Sequence, residues 1–203
     1  MIWTKTLRGL KARIFLTSVL ICLFSACNST DLPSGPATAN KSAPTTSLPM
    51  PPAEGASINN LGWTFGGGKR NVFSEFKGKV LILDFYATWC EPCRRSVPHL
   101  IELQNKFADQ GLQVIGLNVG GPDDEEKVPD FAKEFGIQYT LAKPDDELAT
   151  FLLGDSDAIP QTFVFDRQGQ LAERLIGYGP NAGDRLDSAV EAALKTPAPG
   201  NQN

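Results

Sequence analysis

The segment Val80–Cys93 reads VLILDFYATWCEPC and determines the expected fold. Its first half, Val80–Tyr86, is a nearly continuous apolar run, which is typical of a strand buried on both faces. After Cys90 the apolar residues take helical spacing, so the segment predicts a strand followed by a helix that continues to Phe107. Cys90 and Cys93 stand at the junction. A helix N-terminus favours a thiolate there, because the positive end of the helix dipole lowers the pKa of a thiol.

Two thiols separated by two residues can close a small disulfide ring, which indicates thiol-disulfide chemistry. We predict that Cys90 is the attacking thiol and that Cys93, one helical turn further, is the resolving thiol. An inert structural disulfide is disfavoured, because so short a ring removes little loop entropy. Glu91 would raise the pKa of the thiol, whereas Arg94 and Arg95 would lower it. Both arginines are predicted to be solvated cations on the helix surface.

The elements predicted around this unit alternate between strands and helices. Short strands are expected near Trp63 and Val72, joined by a turn at Gly66–Gly68. Further strands are predicted at 112–119, 162–166 and 171–176, and further helices at 125–135, 147–153 and 181–195. The chain has 203 residues and a formal net charge of −4. One folded domain is therefore expected, and no basic stripe indicates nucleic acid as a partner.

The N-terminus predicts export. A basic start is followed by the apolar stretch Ile14–Ala26, which suits the hydrophobic region of a signal peptide and is too short to span a bilayer. The run Leu23–Cys27 resembles the lipobox of bacterial lipoproteins, so Cys27 is predicted to carry lipid. Ordinary signal cleavage or a signal anchor are the alternatives. The predicted organisation is a signal peptide at 1–27, a tether rich in Pro, Ser and Thr at 28–57, a folded domain at 58–195 and a disordered tail at 196–203.

The remaining cysteines support this interpretation. Of the four cysteines, Cys22 lies in the predicted signal peptide and Cys27 would be consumed by lipid, which leaves Cys90 and Cys93. An exported chain with a single pair of this spacing is not a disulfide-stapled scaffold.

Three features together resemble the thioredoxin superfamily: LDFYATWCEPC at residues 83–93, Ile159-Pro160-Gln161-Thr162, and a closing hairpin punctuated by glycines. The insertion before Ile159 resembles the membrane-tethered TlpA/ResA-like branch, whose domain is of the redoxin or AhpC/TSA-like type. The resemblance implies an α/β thioredoxin fold with a central mixed sheet flanked by helices. It also implies an N-terminal β-hairpin extension and an insertion before the strand that follows the cis-proline.

The same resemblance assigns roles to residues outside the dithiol. Pro160 would be cis and, with Ile159 and Trp89, would bind an extended segment of the substrate. Asp84 matches the buried aspartate of thioredoxin, which implies that it assists proton transfer at Cys93. The alternative is a buried acid that is merely satisfied by backbone donors. The chain departs from the related patterns at two positions. Ser96 stands where the tethered branch commonly has glutamate, and Gly116 stands where thioredoxin often has lysine.

The resulting hypothesis is a monomeric, membrane-anchored thiol-disulfide oxidoreductase on the periplasmic or other extracytoplasmic face of a bacterial membrane. Its substrates would be protein disulfides, and the resemblance favours a reductant, with cytochrome c maturation as a candidate role. No cofactor is expected, because the sequence has neither a Rossmann nor a flavin fingerprint. Electrons would instead come from a dithiol protein in the membrane.

Two alternative functions remain open at this stage. A metal chaperone would use Cys90 and Cys93 as ligands, although relatives of that type usually have wider thiol spacing and a distant histidine, and His99 is expected to be a surface or packed residue. A thiol peroxidase is disfavoured, because Leu83 and Ala87 stand where peroxiredoxins carry Pro and Thr or Ser. The acidic run Asp123–Glu126 is interpreted as a solvated helix start rather than a metal site.

Overall fold

The strand Val80–Tyr86 lies near the middle of a seven-stranded sheet in the computed structural model, which describes residues 57–200. The predicted signal peptide at 1–27, the lipidation at Cys27 and nearly all of the predicted tether at 28–57 lie outside the described residues.

Seven strands and five α-helices follow one another along this part of the chain. The strands are β1 (Gly62–Phe65), β2 (Arg70–Val72), β3 (Val80–Tyr86), β4 (Leu112–Asn118), β5 (Thr140–Pro144), β6 (Gln161–Phe165) and β7 (Leu171–Ile176). The helices are α1 (Glu91–Phe107), α2 (Pro122–Glu125), α3 (Val128–Phe135), α4 (Asp146–Leu153) and α5 (Ala182–Lys195). Short 3₁₀ turns at Ile58–Asn60, Phe73–Phe76 and Ala108–Gln110 complete the order.

The sheet is mixed, with the strand order β2-β1-β5-β4-β3-β6-β7. Strands β3, β4 and β5 are parallel to one another. On one side of them, β6 pairs antiparallel with β3 and β7 pairs antiparallel with β6. On the other side, β1 pairs antiparallel with β5 and β2 pairs antiparallel with β1. Every residue of β3 is buried, because neighbouring strands pair with both of its edges and helices cover both of its faces. This confirms the predicted α/β class, the central strand and the N-terminal hairpin formed by β1 and β2.

Apolar residues pack against both faces of the sheet, because alternate residues of a strand point in opposite directions. On one face, Val80 and Ile82 pack with apolar residues of α1 and α5. On the other face, Leu81, Leu83 and Phe85 pack with apolar residues of α4 and of the N-terminal strands. The alternation places Asp84 on the face that α1 covers.

The sequence interpretation missed one strand and merged two helices. Strand β5 was not predicted, yet it joins the hairpin to β4. Its sequence TLAKP has few residues typical of strands and ends in proline, so its pairing depends on the neighbours on both sides. The helix predicted at 125–135 is wrong in its extent. Its residues divide between the C-terminal end of α2 and the whole of α3, with Pro129 in the first turn of α3.

Within residues 57–200, no helix combines the length and the apolar character that a membrane crossing requires.

Candidate functional site

Cys90 and Cys93 form a disulfide at the start of α1, with their Cα atoms 5.2 Å apart. Cys90 is the N-cap residue, and its sulfur accepts a hydrogen bond of 3.3 Å from the backbone amide of Cys93. Pro92 lies in the first turn, where a missing backbone donor is tolerated. The side of the pair nearer to solvent is Cys90, at 4% exposure, whereas Cys93 is completely buried. The geometry therefore gives Cys90 both an amide donor and the easier access to a partner.

The charged residues of the first helical turn face different surroundings. Glu91 and Arg95 form a long ion pair of 3.7 Å, and both side chains are largely exposed, as predicted for Arg95. The prediction of a solvated cation is wrong for Arg94. Its guanidinium pairs with Glu134, and the guanidinium carbon lies 4.9 Å from the ring centre of Phe135. Arg94 is therefore packed against α3.

The peptide bond between Ile159 and Pro160 is cis, which confirms the predicted state. The carbonyl oxygen of Ile159 lies 3.8 Å from Cys90 Sγ, so the loop before β6 meets the disulfide directly. The carbonyl of Pro160 accepts a hydrogen bond of 2.7 Å from the amide of Gly177, just after β7. The structure thus brings together the two segments that the sequence interpretation had assigned to one site.

Gln161 stabilises the loop that carries Ile159, and sequence reasoning gave it no role. Its side chain is fully buried, and its amide nitrogen donates to the carbonyl of Ala158 at 2.9 Å. Its amide oxygen accepts from the guanidinium of Arg174 on β7, with the shorter contact at 2.7 Å. The signal in the sequence was its position directly after Pro160 in the run Ile159-Pro160-Gln161-Thr162.

Two large apolar side chains are exposed in the described part of the chain, Trp89 at 65% and Ile176 at 57%. Trp89 directly precedes Cys90. Ile176 is paired with Gln161 in the ladder between β6 and β7, next to the cis-proline. At this exposure Trp89 is not packed in the core, and its position beside the disulfide suits contact with a partner.

Asp84 is buried in the middle of β3 and accepts a hydrogen bond of 2.7 Å from the hydroxyl of Thr162. Burial raises the pKa of Asp84 to about 7, because the charged form loses its hydration, and the bond from Thr162 lowers it only in part. Among the described residues, no cationic side chain forms an ion pair with Asp84. The carboxyl can therefore hold or release a proton near neutral pH.

The two sequence departures have structural counterparts. Gly116 lies directly opposite Asp84 in the ladder between β3 and β4. A Cβ atom there would lie 2.6 Å from Leu141 Cδ2 and 3.2 Å from the ring of Tyr86, so no longer side chain fits without movement. Ser96 is buried, and its hydroxyl donates to the carbonyl of Cys93 at 2.8 Å. Where the tethered branch commonly has glutamate, this chain therefore has a neutral residue bonded to its own helix.

The residues considered for metal binding are separated or already bonded. His99 lies 2.9 Å from a carboxylate oxygen of Asp187 on α5, as expected for a packed histidine. From residue 57 to residue 200, no group of three or more His, Cys, Asp or Glu side chains is arranged to hold a metal ion.

The interpretation of Asp123–Glu126 as a solvated helix start is wrong for Asp124, which is buried and hydrogen-bonded to Thr88.

A family model described as the AhpC/TSA family matches residues 41–174, which is most of the chain. The chain belongs to the AhpC/TSA family. Similar solved structures show that the fold is that of thioredoxin. A thiol:disulfide interchange protein of the thioredoxin family from Chlorobium tepidum is 29% identical, with a TM-score of 0.56 over 68% of this chain and 98% of that protein. A thiol:disulfide interchange protein from a Bacteroides species shares the fold at 19% identity, with a TM-score of 0.54 over 72% of this chain and 93% of that one.

Curated relatives of this family member carry the name thiol-disulfide oxidoreductase ResA. The protein of that name from Bacillus cereus is 30% identical over 112 residues, which cover 54% of this chain and 62% of the relative. The one from Bacillus subtilis is 29% identical over 125 residues, which cover 62% of this chain and 68% of the relative. The chain thus spans less than two thirds of the length of the first of these relatives.

Proposed function

We propose that this protein is a thiol-disulfide oxidoreductase that exchanges two electrons between its Cys90–Cys93 pair and protein disulfides. The observation that carries the proposal is the position of the disulfide, which lies at a helix N-terminus and faces the carbonyl of Ile159 before a cis-proline. The names of the curated relatives support the same activity.

In the reducing direction, the thiolate of Cys90 attacks one sulfur of a substrate disulfide and releases the other as a thiolate. The thiolate of Cys93 then attacks Cys90 Sγ, which closes the ring and releases the second substrate thiolate. The substrate gains two electrons, and its thiolates take up protons. The backbone around Ile159 and Pro160 would align an extended substrate segment, and Trp89 would contribute apolar contact.

Asp84 is proposed to take the proton that Cys93 must lose before it attacks. Its pKa of about 7 suits a group that accepts a proton near neutral pH. It lies on the face of β3 that α1 covers, and α1 carries Cys93. The transfer would pass through water.

Two measurements test the activity and its direction. The purified protein should accelerate the reduction of insulin by dithiothreitol, whereas the double variant Cys90→Ser/Cys93→Ser should not. The equilibrium of the pair with glutathione then gives its reduction potential. A value near −270 mV, the range of thioredoxin, would support the reductant, and a value near −120 mV would overturn it in favour of an oxidant.

The proposed setting is the extracytoplasmic side of a bacterial membrane, with a monomer held by lipid on Cys27 and recharged by a membrane dithiol protein. The support lies in the basic and apolar start of the sequence and its run LFSAC at residues 23–27. Replacement of Cys27 by alanine should release the protein from isolated membranes into the soluble fraction. Retention of the variant would overturn the lipid anchor in favour of a signal anchor.

The substrate class that we propose to test first is the disulfide of an apocytochrome c, which the resemblance to the tethered branch suggests. Reduction of a peptide with an oxidised CxxCH haem-attachment motif should be faster than reduction of a peptide in which alanine replaces the histidine. Equal rates would indicate a general reductant instead.

A further inference from the structure

We propose that Asp124 is a positioning residue for the redox pair: its carboxylate holds Thr88, and through Thr88 the loop that carries Trp89 and Cys90. The inference rests on the proposed thiol-disulfide activity and extends it to a residue outside the dithiol and the cis-proline loop.

The carboxylate of Asp124 binds both polar groups that Thr88 can donate. The backbone amide of Thr88 donates to Asp124 Oδ2 at 2.9 Å, and the hydroxyl of Thr88 donates to Asp124 Oδ1. The side-chain amide of Asn118, the last residue of β4, donates to Oδ2 at 2.7 Å. Asp124 is only 1% exposed, so these three donors replace the water that the carboxylate has lost.

Asp124 is held as an anion in this position. Burial raises the pKa of a carboxyl group, but here the bonds from Thr88 and Asn118 favour the charged form more strongly, and the net effect is a lowered pKa. A buried anion accepts stronger hydrogen bonds than a neutral acid does. The contact with Thr88 is therefore a firm one.

The conformation of the segment between β4 and α2 allows Asp124 to contact Thr88. A Cβ atom on Gly120 would overlap the carboxylate of Asp124, so only glycine fits at this point. Gly121 has φ of +89°, a conformation that side chains other than glycine rarely adopt. Gly120 and Gly121 thus allow the backbone to bring Asp124 into contact with Thr88.

Thr88 is also held from its other side. Its carbonyl accepts a hydrogen bond of 3.1 Å from Arg94, and Arg94 is itself fixed by Glu134 and by the rings of Phe131 and Phe135. Side chains therefore satisfy both backbone polar groups of Thr88. Cys90 follows two residues later, and its amide donates to the carbonyl of Ala87 in the same tight turn.

Two effects of Asp124 should favour the disulfide over the dithiol. Restraint of the loop keeps Cys90 close to Cys93, which raises the effective concentration of one thiol at the other. The negative charge that is bonded to Thr88, near Cys90, disfavours a thiolate and hence the reduced pair. Both effects have the same sign, so removal of the charge should make the pair more oxidising.

The experiment measures the equilibrium of the pair with glutathione in the full-length protein and five variants. Asp124→Asn should shift the equilibrium constant toward the dithiol at least threefold, which corresponds to about 14 mV. The matched control is Asp123→Asn, which makes the same charge change at the neighbouring exposed position and should stay within twofold of the wild type. Thr88→Val, which removes the hydroxyl donor alone, should shift the constant in the same direction by less.

The hydroxyl itself is tested by Thr88→Ser, which keeps the donor and should restore the wild-type constant. In the double variant Asp124→Asn/Thr88→Val, the two shifts should not add, because both changes break the same contact. An Asp124→Asn constant equal to that of Asp123→Asn, even with reduced stability, would overturn the proposal and leave a structural role. If Asp124→Asn does not fold, equal constants for Thr88→Val and Thr88→Ser would overturn it.

This readout separates the inference from the proposed function. The glutathione equilibrium needs only a pair that can be oxidised and reduced. A wild-type protein that equilibrates with glutathione but leaves insulin intact would contradict the proposed activity, whereas the effect of Asp124 on the pair would still be measured.

Discussion

The hydroxyl of Thr162 donates a hydrogen bond of 2.7 Å to Asp84, and the two residues are direct partners in the antiparallel ladder between β3 and β6. Thr162 follows the cis-proline by two residues, and Asp84 precedes Cys90 by six. The bond therefore ties the strand after the substrate-facing loop to the strand before the disulfide. Among the described residues, it is also the contact that opposes the effect of burial on the pKa of Asp84.

The stability of the protein should depend on the charge of Asp84. The reference pKa of an aspartyl group is 3.8, whereas burial raises the pKa of Asp84 in the folded protein to about 7. The folded state therefore binds the proton more tightly, and the stabilisation present at low pH is lost as the pH rises through 7. Asp84→Asn avoids this loss. Between pH 5 and pH 8 the free energy of unfolding of the wild type should therefore fall by about 2–3 kcal/mol more than that of the variant.

Urea unfolding of the oxidised protein at the two pH values measures this difference. Asp109→Asn is the matched control, because Asp109 is exposed in the turn after α1. The free energy of unfolding of this control should differ from that of the wild type by less than about 0.5 kcal/mol. A difference between wild type and Asp84→Asn that is the same at both pH values would contradict the raised pKa.

The kinetics of exchange test the catalytic role of Asp84 separately. If Asp84 accepts the proton of Cys93, the rate of insulin reduction should inflect near pH 7 in the wild type, and Asp84→Asn should lose this inflection. We expect a rate loss of about tenfold to a hundredfold, the usual range for removal of a proton acceptor. An unchanged profile would leave Asp84 as a buried acid that Thr162 satisfies.

The order of attack of the two cysteines can be read from trapped intermediates. Cys93→Ser should accumulate mixed disulfides with protein substrates, because Cys90 can attack but no thiol remains to resolve the adduct. Cys90→Ser should accumulate few, since Cys93 is completely buried. Non-reducing electrophoresis after acid quenching measures both. Adducts that form only in Cys90→Ser would reverse the assigned roles.

Removal of the exposed indole of Trp89 should weaken substrate binding without unfolding the protein. Because the side chain is 65% exposed, Trp89→Ala should reduce the free energy of unfolding by less than about 1 kcal/mol. The KM for insulin should rise about threefold to tenfold, whereas the rate with a small aromatic disulfide should change by less than twofold. Equal losses with both substrates would indicate that Trp89 acts on the disulfide itself.

Gly116→Ala should destabilise the protein, because the added methyl group would approach Leu141 and Tyr86 in a closed part of the core. We expect a loss of about 1–3 kcal/mol in urea unfolding. Gly179→Ala is the control, since a Cβ atom there meets open space. A loss no larger than that of the control would show that Leu141 moves aside easily and that the position can hold a side chain.

The residues of the site differ in how far the sequence could predict them. Cys90, Cys93 and Pro160 stand in short local motifs, and Asp84 is conspicuous as a charge inside an apolar strand. Asp124 is different, because an acid in an acidic run near a helix start normally faces water, and only the approach of the loop to Thr88 buries it. Local sequence does not reveal such long-range contacts.

The same reason explains strand β5 and the role of Gln161. The sequence of β5 has little strand preference, and its position follows from pairing with β1 and β4. Gln161 reads as one polar residue beside an apolar run, and its importance depends on Arg174, thirteen residues further along the chain.

The bonds of Gln161 to Arg174 and Ala158 have a consequence for how substrates are chosen. They give the loop before the cis-proline a fixed shape before any partner arrives, so an incoming chain loses little further entropy from this side of the contact. The partner would meet mainly main-chain groups there, and main-chain groups are common to every polypeptide. Such a surface would accept many different sequences, and discrimination among clients would then depend on how readily each client exposes an extended segment around its disulfide.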